Sequence, residues 1–442
     1  MVTIIPELRQ VREDLVNLLD RATVERLCRD VGYRWRDRDL DPYTALHLFI
    51  LQVVNNNTAM THLPHLSGKR FTASAYCQAR QRLPLELFER LVEQFTQSVG
   101  DSLRWHGHRV WIADGSGFSM PDTPELRRAF GYPGGQKPGC GFPVAHILAL
   151  IDAHSGLLRD VIAAPLRTQD IALVSQQHPK MSSGDILVAD RGFCSYAHLA
   201  LISQAHLHAI FRVHQRHIVD FRPQRPSAAE AEGPGRPRSR WLKRLGYHDQ
   251  LVEWHKPVTR PRWMSDEQFA ELPDRLVLRE LRYRLKDRGC RVREVTLVTT
   301  LLDPERYPAA EIARLYGLRW QVEVDLRDLK ITLGMDVLKS KKLETVMKEM
   351  YVFVLVYNLV RLVVLKSSRR QQVAPHRISF IDALRWLQPP KPSSNLPELI
   401  VNPIRSGRLE PRCIKRRMKE YNLMTSPRHE LRKRLKKRRD AA

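Results

Sequence analysis

Five short apolar stretches decide the fold of this chain: RVWIADGS (109–116), HILALIDA (146–153), LLRDVIAA (157–164), DILVAD (185–190) and LHAIFRV (207–213). Each is as long as a β-strand and rich in valine, isoleucine or leucine. Apolar runs of this length, bounded by turn residues, are typical of strands buried in a sheet. We therefore predict five strands in this part of the chain.

The segments between these stretches predict how the strands are connected. HSG (154–156) fits a hairpin turn, and the helical patterns QDIALVSQQH (169–178) and YAHLALISQAH (196–206) follow the third and fourth stretches. The order is strand, hairpin strand, hairpin strand, helix, strand, helix, strand. This order predicts an α/β fold in which helices cover a mixed sheet.

The regions on either side of these strands differ in composition and in their pattern of apolar residues. These differences predict a chain of four structural parts. Residues 214–293 contain a loop rich in proline, glycine and arginine and two alternating stretches that resemble exposed strands, so they read as an insertion that interrupts the sheet. The apolar pattern of 344–367 predicts a buried helix. The predicted parts are an N-terminal helical domain (1–100), a catalytic core (101–213 plus 294–372), a strand-rich insertion (214–293) and a basic C-terminal region (373–442).

The net charge of the chain limits the class of its binding partner. The chain has 442 residues, a net charge of +25 and a pI near 10.2. A polyanionic partner is implied; nucleic acid is the commonest, and an anionic membrane surface is the competing interpretation. No apolar run approaches a transmembrane length and the first residues lack the pattern of a signal peptide, so we expect a soluble, cytoplasmic protein without a membrane partner. The cysteines show no zinc-binding spacing.

The N-terminal region also contains a candidate DNA-binding helix. TASAYCQARQRL (72–83) begins with capping residues and is predicted to expose Arg80 and Arg82. A small helical DNA-binding domain fits this pattern, and a purely structural helical cap is the alternative.

The strongest signal is a spaced tetrad in the helical stretch PAAEIARLYGLRWQVEVDLRDLK (308–330). At about 100° per residue, Tyr316, Arg319, Glu323 and Lys330 share one narrow stripe of a helix. This stripe is polar where a core helix would be apolar. It suits a site that holds a metal beside a phosphate backbone, and a solvated face with ordinary ion pairs is the alternative.

Two further carboxylates strengthen the first interpretation. Asp114 and Asp190 are each predicted to end a strand, although an aspartate before a glycine is also a common turn residue. Together with Glu323 they could hold two hard cations through oxygen ligands, with Mg²⁺ or Mn²⁺ as the natural occupant. A two-metal pair suits an in-line displacement at phosphorus.

These residues resemble the DDE transposases of the IS-four insertion-sequence family. The tetrad matches that family's signature helix, and the resemblance extends to the segments 32–42, 74–83, 114–143, 188–193 and 333–361. It implies a ribonuclease-H-like core with a strand-rich insertion. It also implies that Asp114 is shared between two Mg²⁺ ions, that Asp190 holds one and Glu323 the other, and that Mn²⁺ can substitute.

The resemblance further implies how DNA is held. Tyr316, Arg319 and Lys330 would bind phosphates near the cut; Arg191 either joins them or pairs with a core carboxylate. Excision in such proteins can pass through a DNA hairpin with a flipped base stacked on a tryptophan of the insertion. The candidates for that tryptophan are Trp241, Trp254 and Trp263, with Trp254 preferred.

The predicted function is therefore metal-dependent cleavage at transposon ends followed by strand transfer to target DNA. The expected partners are double-stranded DNA, both terminal inverted repeats and target, and a second copy of the chain on the paired ends. Two alternatives stay open: a domesticated DNA-binding protein without cleavage activity, and a stand-alone two-metal nuclease.

Overall fold

The fold is described here from a computed structural model. It describes residues 17–98, 104–133, 141–214, 217, 219–225, 239–284, 294–388, 398–402 and 426–440. The predictions for residues 1–16, for most of the proline-rich loop and for about half of the basic C-terminal region lie outside the described residues.

A nine-stranded mixed sheet is the centre of the fold. Its order is β3-β2-β1-β4-β5-β9-β8-β7-β6, with β4 parallel to both β1 and β5 and every other pair antiparallel. The strands are β1 (Val110–Ser119), β2 (Val144–Asp152), β3 (Leu158–Pro165), β4 (Ile186–Ala189), β5 (His208–Arg212), β6 (Ser239–Gly246), β7 (Asp249–His255), β8 (Arg275–Arg284) and β9 (Glu294–Thr299). The predicted mixed sheet and its order of elements up to β5 are confirmed.

The strands of the predicted insertion continue this sheet rather than interrupting it. β9 pairs with β5 through Phe211 and Val298 and with β8 through Leu281 and Leu297, and β7 and β6 follow outward. Both edges of β9 therefore form backbone hydrogen bonds, one with β5 and the other with β8. Because β9 joins them in this way, the alternating stretches of 239–284 extend the sheet.

Helices precede, interrupt and follow the strands. They are α1 (Arg21–Asp30), α2 (Pro42–Val54), α3 (Leu63–Ser67), α4 (Ala73–Arg82), α5 (Leu85–Ser98), α6 (Pro124–Phe130), α7 (Asp170–Val174), α8 (Tyr196–Gln204), α9 (Asp266–Ala270), α10 (Ala309–Gly317), α11 (Arg319–Arg327), α12 (Leu343–Gln371), α13 (Phe380–Leu387) and α14 (Arg428–Arg439). Short 3₁₀ turns cover Ser175–Lys180, Arg191–Phe193 and Pro375–Arg377, and a π-turn covers Asp328–Thr332. The helical character predicted for the N-terminal region is seen from α1 to α5.

The helix α12 joins the N-terminal helices to the sheet. It packs against α2, α5, α13 and β3, and it is buried as predicted. A single apolar cluster combines Phe49 of α2, Phe88 of α5, Ile147 of β2 and Val356 of α12. The N-terminal helices and the sheet therefore share one core.

The expectation that no segment reaches transmembrane length is wrong for α12. By length and composition this helix could cross a membrane, with a mean hydropathy of 1.7 over its most apolar 18 residues. Of that window, 94% is buried inside the protein. The apolar surface of α12 is therefore covered by the protein's own core.

Candidate active site

Asp114 lies in the middle of β1, not at its end as predicted. It pairs with Ala149 of β2, and the strand runs on to Ser119, which pairs with Val144. The small residues after Asp114 do not form a turn because the first residues of β2 give them hydrogen-bonding partners. Gly115 also has to be small, since a Cβ there would lie 2.5 Å from Oδ1 of Asp170.

Asp190 directly follows β4, as predicted. Its Oδ1 accepts a hydrogen bond of 2.7 Å from the backbone N–H of Gly192 and so caps the short 3₁₀ turn. β1 and β4 are parallel neighbours with Ile112 paired to Val188. Asp114 and Asp190 each come two residues after that pair, so they lie at the same level of adjacent strands and on the same face as Ile112 and Val188.

Burial and neighbouring charges both act on Asp114. Desolvation is the largest cause that raises the pKa of its carboxyl, to about 6, and the charges of Asp190 and Glu323 raise it further. The guanidinium of Arg319 and the backbone N–H of Gly115 act in the opposite direction. Asp190 and Glu323 are therefore close enough to Asp114 to influence its charge.

The predicted tetrad lies on three consecutive elements, not on one straight helix. Tyr316 is near the end of α10, Arg319 and Glu323 are on α11, and Lys330 lies in the π-turn. The α-helical hydrogen bonding is interrupted at Leu318, although its backbone keeps helical dihedral angles, and the π-turn adds a residue to the last turn. The stripe predicted for a regular helix is therefore displaced at both ends.

Tyr316 is buried, with 1% of its surface exposed. Its ring makes an edge-on contact with Trp320, and burial raises the pKa of its hydroxyl to about 12 while Arg319 lowers it. In this arrangement Tyr316 contacts Arg319 and Trp320 rather than solvent. Trp320 itself is 37% exposed.

Arg319 lies between two of the carboxylates. Its Nη1 is 3.8 Å from Oδ2 of Asp114, and its Nη2 is 3.3 Å from Oε1 of Glu323. Its Nε is buried and has no hydrogen-bond partner among the described residues. A guanidinium with an unused buried donor is suited to an additional anionic group such as a phosphate.

The three carboxylates fit a hard divalent cation by their chemistry, because they supply oxygen ligands only. They are not gathered into a ligand set as they stand. No group of three or more histidine, cysteine or acidic side chains in the described ranges is close enough to hold a metal ion, and the side chain of Glu323 is 59% exposed. Glu323 therefore has room to turn toward the two aspartates.

Comparisons with known proteins decide the family. A family model for the Transposase DDE domain matches residues 105–359, more than half of the chain and all of the elements from β1 to most of α12. The chain belongs to the DDE transposases of the IS4 family. It is 27% identical to the transposase InsG of insertion sequence IS4 from Escherichia coli (strain K12), over 84% of this chain and 82% of that protein.

A second relative supports the same family. The chain is 22% identical to the transposase of insertion sequence element IS231F from Bacillus thuringiensis subsp. israelensis, over 78% of each protein. A solved piggyBac transposase in a synaptic complex with hairpin DNA aligns with 87% of this chain and 78% of that one, at 11% identity and a TM-score of 0.44. A likeness of that degree does not establish a shared fold.

Three further predicted DNA-binding residues of the transposase differ in exposure. Arg191 follows Asp190 and is exposed, and Arg82 is exposed at the end of α4. Lys330 is half-buried in the π-turn. Which of these three contacts DNA stays a prediction.

The prediction that Arg80 is exposed is wrong. Only 6% of its surface is accessible, and its guanidinium lies 4.5 Å from the ring centroid of Phe49. Its Nη1 donates to Gln52 Oε1 at 3.3 Å and its Nη2 to Ser340 Oγ at 3.5 Å. Arg80 therefore joins α4 to α2 and to the segment before α12, and it is not placed to meet DNA.

The preference for Trp254 as a base-stacking residue is also wrong. Trp254 is 2% exposed, and its Nε1 donates to Oε1 of the buried Glu280 at 3.0 Å. It faces inward because it occupies an apolar position on β7, an inner strand of the extended sheet. Trp241 and Trp263 are each partly exposed, so they stay candidates.

One supporting pair was missed by the sequence interpretation. Asp325, two residues after Glu323, is buried and lies 3.7 Å from Arg361 of α12. Arg361 in turn donates to the backbone carbonyl of Ser155 in the β2–β3 turn at 2.8 Å. The pair holds the helix that carries Glu323 against the sheet. The signal in the sequence was Arg361, a charged residue within the apolar pattern of α12.

Proposed function

We propose that this transposase cuts DNA at the ends of its own element and joins the freed ends to target DNA, through Asp114, Asp190 and Glu323. The observation that carries the proposal is the placement of Asp114 and Asp190 at one level of two parallel strands, with Arg319 linking Asp114 to Glu323. We also propose that β1 to β5 form a ribonuclease-H-like core, which the antiparallel β1–β3 hairpins followed by parallel β4 and β5 support.

The three carboxylates would hold two Mg²⁺ ions, with Mn²⁺ as a substitute. Asp114 would be shared, Asp190 would hold one ion and Glu323 the other. Bound there, the ions would supply charge neutralisation and Lewis acidity at the scissile phosphate. Occupancy requires the guanidinium of Arg319 to leave the space between Asp114 and Glu323 and to bind a phosphate instead.

The remaining side chains act on the DNA. Arg319, Lys330 and Arg191 would bind phosphates beside the cut, and Tyr316 would hold Arg319 in place. Water attacks the phosphorus, the bond to the 3′-oxygen breaks and a 3′-hydroxyl and a 5′-phosphate result. The 3′-hydroxyl then attacks a target phosphodiester, whose own 3′-oxygen leaves, so no residue of the chain forms a covalent bond to DNA.

The partners follow from this chemistry and from the net charge of +25. The transposase would bind the terminal inverted repeats and target DNA as duplexes, in the bacterial cytoplasm beside the nucleoid. Joining two ends at one target requires two active sites, so we propose a homodimer on paired ends. A hairpin during excision would place an unpaired base near Trp241 or Trp263.

The experiment that tests the proposal uses labelled DNA from the flanks of the gene. Wild type and Asp190→Ala are incubated with Mg²⁺ or EDTA, and the strands are separated on a denaturing gel. We expect Mg²⁺-dependent breaks at the repeat boundary and joined products, neither of which Asp190→Ala gives. Breaks without joined products would favour a stand-alone nuclease, and salt-sensitive binding without breaks would favour a silent DNA-binding protein.

A further inference from the structure

The segment between α1 and α2 alternates aromatic and arginine side chains. Tyr33 and Trp35 are half-buried and pack against the main core, whereas Arg34 and Arg36 are exposed. The two aromatic rings stack with their centroids 5.9 Å apart and their planes at 23°. Extended backbone sends alternate side chains to opposite sides, so anchoring the rings inward directs the arginines outward.

This segment, together with α2 and α4, lines a cavity of about 230 Å³. Four of the residues that line it are arginines: Arg34, Arg36, Arg38 and Arg82. Arg82 comes from α4, and its charge lowers the pKa of the Tyr33 hydroxyl, which burial raises. Two separate elements therefore bring four cations to one opening.

These four arginines lack carboxylate partners in the described part of the chain, although Arg82 donates to Oε1 of Gln78 at 3.4 Å. No salt bridge within the described ranges joins any of the four to a carboxylate. Asp41 is the acid that lines the cavity, but it pairs with Arg21 and accepts the backbone N–H of Thr44 at 2.7 Å. Asp37 and Asp39 are exposed and do not line the cavity.

Four like charges around one opening repel one another, and an anion inside relieves that repulsion. Guanidinium groups bind phosphate oxygens in pairs, and more strongly than neutral donors do. The cavity is smaller than the roughly 300–1,000 Å³ of a site for a whole small molecule, so it suits a single group such as a phosphodiester.

We propose that this arginine cavity binds the phosphate backbone of duplex DNA. The proposal rests on the proposed function, because it takes the DNA to be the end of the element. It adds a contact in the N-terminal helical region, and it assigns to Arg34, Arg36 and Arg38 the role that the buried Arg80 does not fill.

The test measures the salt dependence of DNA binding. Full-length wild type and the triple variant Arg34→Gln, Arg36→Gln, Arg38→Gln are titrated into a fluorescent duplex from the element's end, by anisotropy between 50 and 200 mM salt without divalent metal. Each lost phosphate contact lowers the slope of log K against log salt by about 0.9, so we expect a slope smaller by about 2.7. Arg26→Gln is the matched control, because Arg26 is exposed on α1 and pairs with Asp30; its slope should equal that of wild type.

Two outcomes would overturn the proposal. One is a triple variant with the slope and affinity of wild type. The other is a variant that loses affinity for duplex RNA of the same sequence while it binds DNA like wild type, which would assign the cavity to RNA. Single variants such as Arg36→Gln, with an expected slope change of about 0.9, keep the test valid if the triple variant does not fold.

The same preparations separate this proposal from the proposed function. A wild-type protein that never cuts DNA in Mg²⁺, beside a triple variant with the reduced slope, would remove the proposed function and leave the arginine cavity in place. Mg²⁺-dependent cutting beside an unchanged slope would do the reverse.

Discussion

Two carboxylates, one in each half of the sheet, have opposite environments. In the half formed by β6 to β9, Arg279 is fully buried and donates to both oxygens of Asp249, at 2.8 and 2.5 Å, and to the carbonyl of Tyr307 at 2.7 Å. In the half formed by β1 to β5, Asp114 has a guanidinium only at 3.8 Å, and its pKa is raised to about 6.

The difference separates structural charges from functional ones. A buried charge with complete hydrogen bonding holds a fold together, and removing one partner leaves the other uncompensated. A buried carboxylate that keeps an unfavourable environment beside two other carboxylates is instead typical of a site that awaits a ligand. Both kinds occur here on one sheet, so variants of the two kinds of charge should separate stability from activity.

The largest effect is expected for Asp190→Asn. We expect it to reduce Mg²⁺-dependent cleavage by roughly 10³-fold or more, because a catalytic group is lost, with little change in the midpoint of thermal unfolding. The matched control is Asp185→Asn, five residues earlier, where the carboxylate accepts hydrogen bonds from Trp111 Nε1 at 2.7 Å and from the backbone N–H of Ser182 at 2.9 Å. It should lower stability by about 1–3 kcal/mol and leave cleavage intact. The reverse pattern would contradict the division.

Arg279→Met should show the opposite behaviour to Asp190→Asn. Without Arg279, the carboxylate of Asp249 is left buried and unpaired, and we expect a loss of about 3–5 kcal/mol in the free energy of unfolding. Cleavage per folded molecule should stay close to that of wild type. Urea unfolding measures the free energy of unfolding, and cleavage of labelled DNA, at a temperature below the thermal transition of the variant, measures activity. A stable but inactive variant would place Arg279 among the functional charges.

Trp254→Phe tests the same division at an aromatic residue. The substitution keeps an apolar ring but removes the hydrogen bond to Glu280, which we expect to cost about 1–3 kcal/mol of stability. Cleavage products and any hairpin should be unchanged, since the side chain is buried. Trp263→Phe is the control at a partly exposed position. Loss of the hairpin in Trp254→Phe alone would restore it as the base-stacking residue.

The smallest effect concerns pH. The ring of His217 makes a tilted contact with that of Trp254, with centroids 4.5 Å apart, and burial lowers the pKa of its imidazole from 6.5 to about 3. Because the unfolded chain binds this proton more readily, the contribution of neutral His217 is complete above pH 6.5 and is lost progressively as the pH falls toward 3. At pH 6 the loss is under about 1 kcal/mol. Unfolding of His217→Phe should therefore depend less on pH than that of wild type, and an equal dependence would contradict the lowered pKa.

Structural features that depend on neighbouring residues could be predicted from the sequence, and features that depend on distant residues could not. The strand order followed from apolar runs and turn residues within a few positions of each strand, and Asp190 was correctly placed because its own neighbours end β4. Asp114 was misplaced because the extension of β1 depends on β2, some thirty residues later. Arg80 was misread because Ser340, which contacts it, lies 260 positions away.

The candidate site shows the same limit. The spacing of Arg319 and Glu323 placed them on one face of a helix, where they form an ion pair. The break at Leu318 and the π-turn at Lys330 did not follow from spacing, because they reflect packing against the sheet and against α12. The link from Asp325 through Arg361 to Ser155 joins three elements that are far apart in the chain.

The most direct test that Asp114, Asp190 and Glu323 form the active site concerns Glu323, the most exposed of the three carboxylates. Cleavage of end-labelled DNA in Mg²⁺ is measured for wild type and Glu323→Gln, with binding of the same DNA followed by gel shift. We expect Glu323→Gln to give no detectable cleavage and to bind DNA as wild type does, because only a ligand to the metal is lost. Cleavage at the wild-type rate would show that Glu323 is not the third carboxylate of the active site.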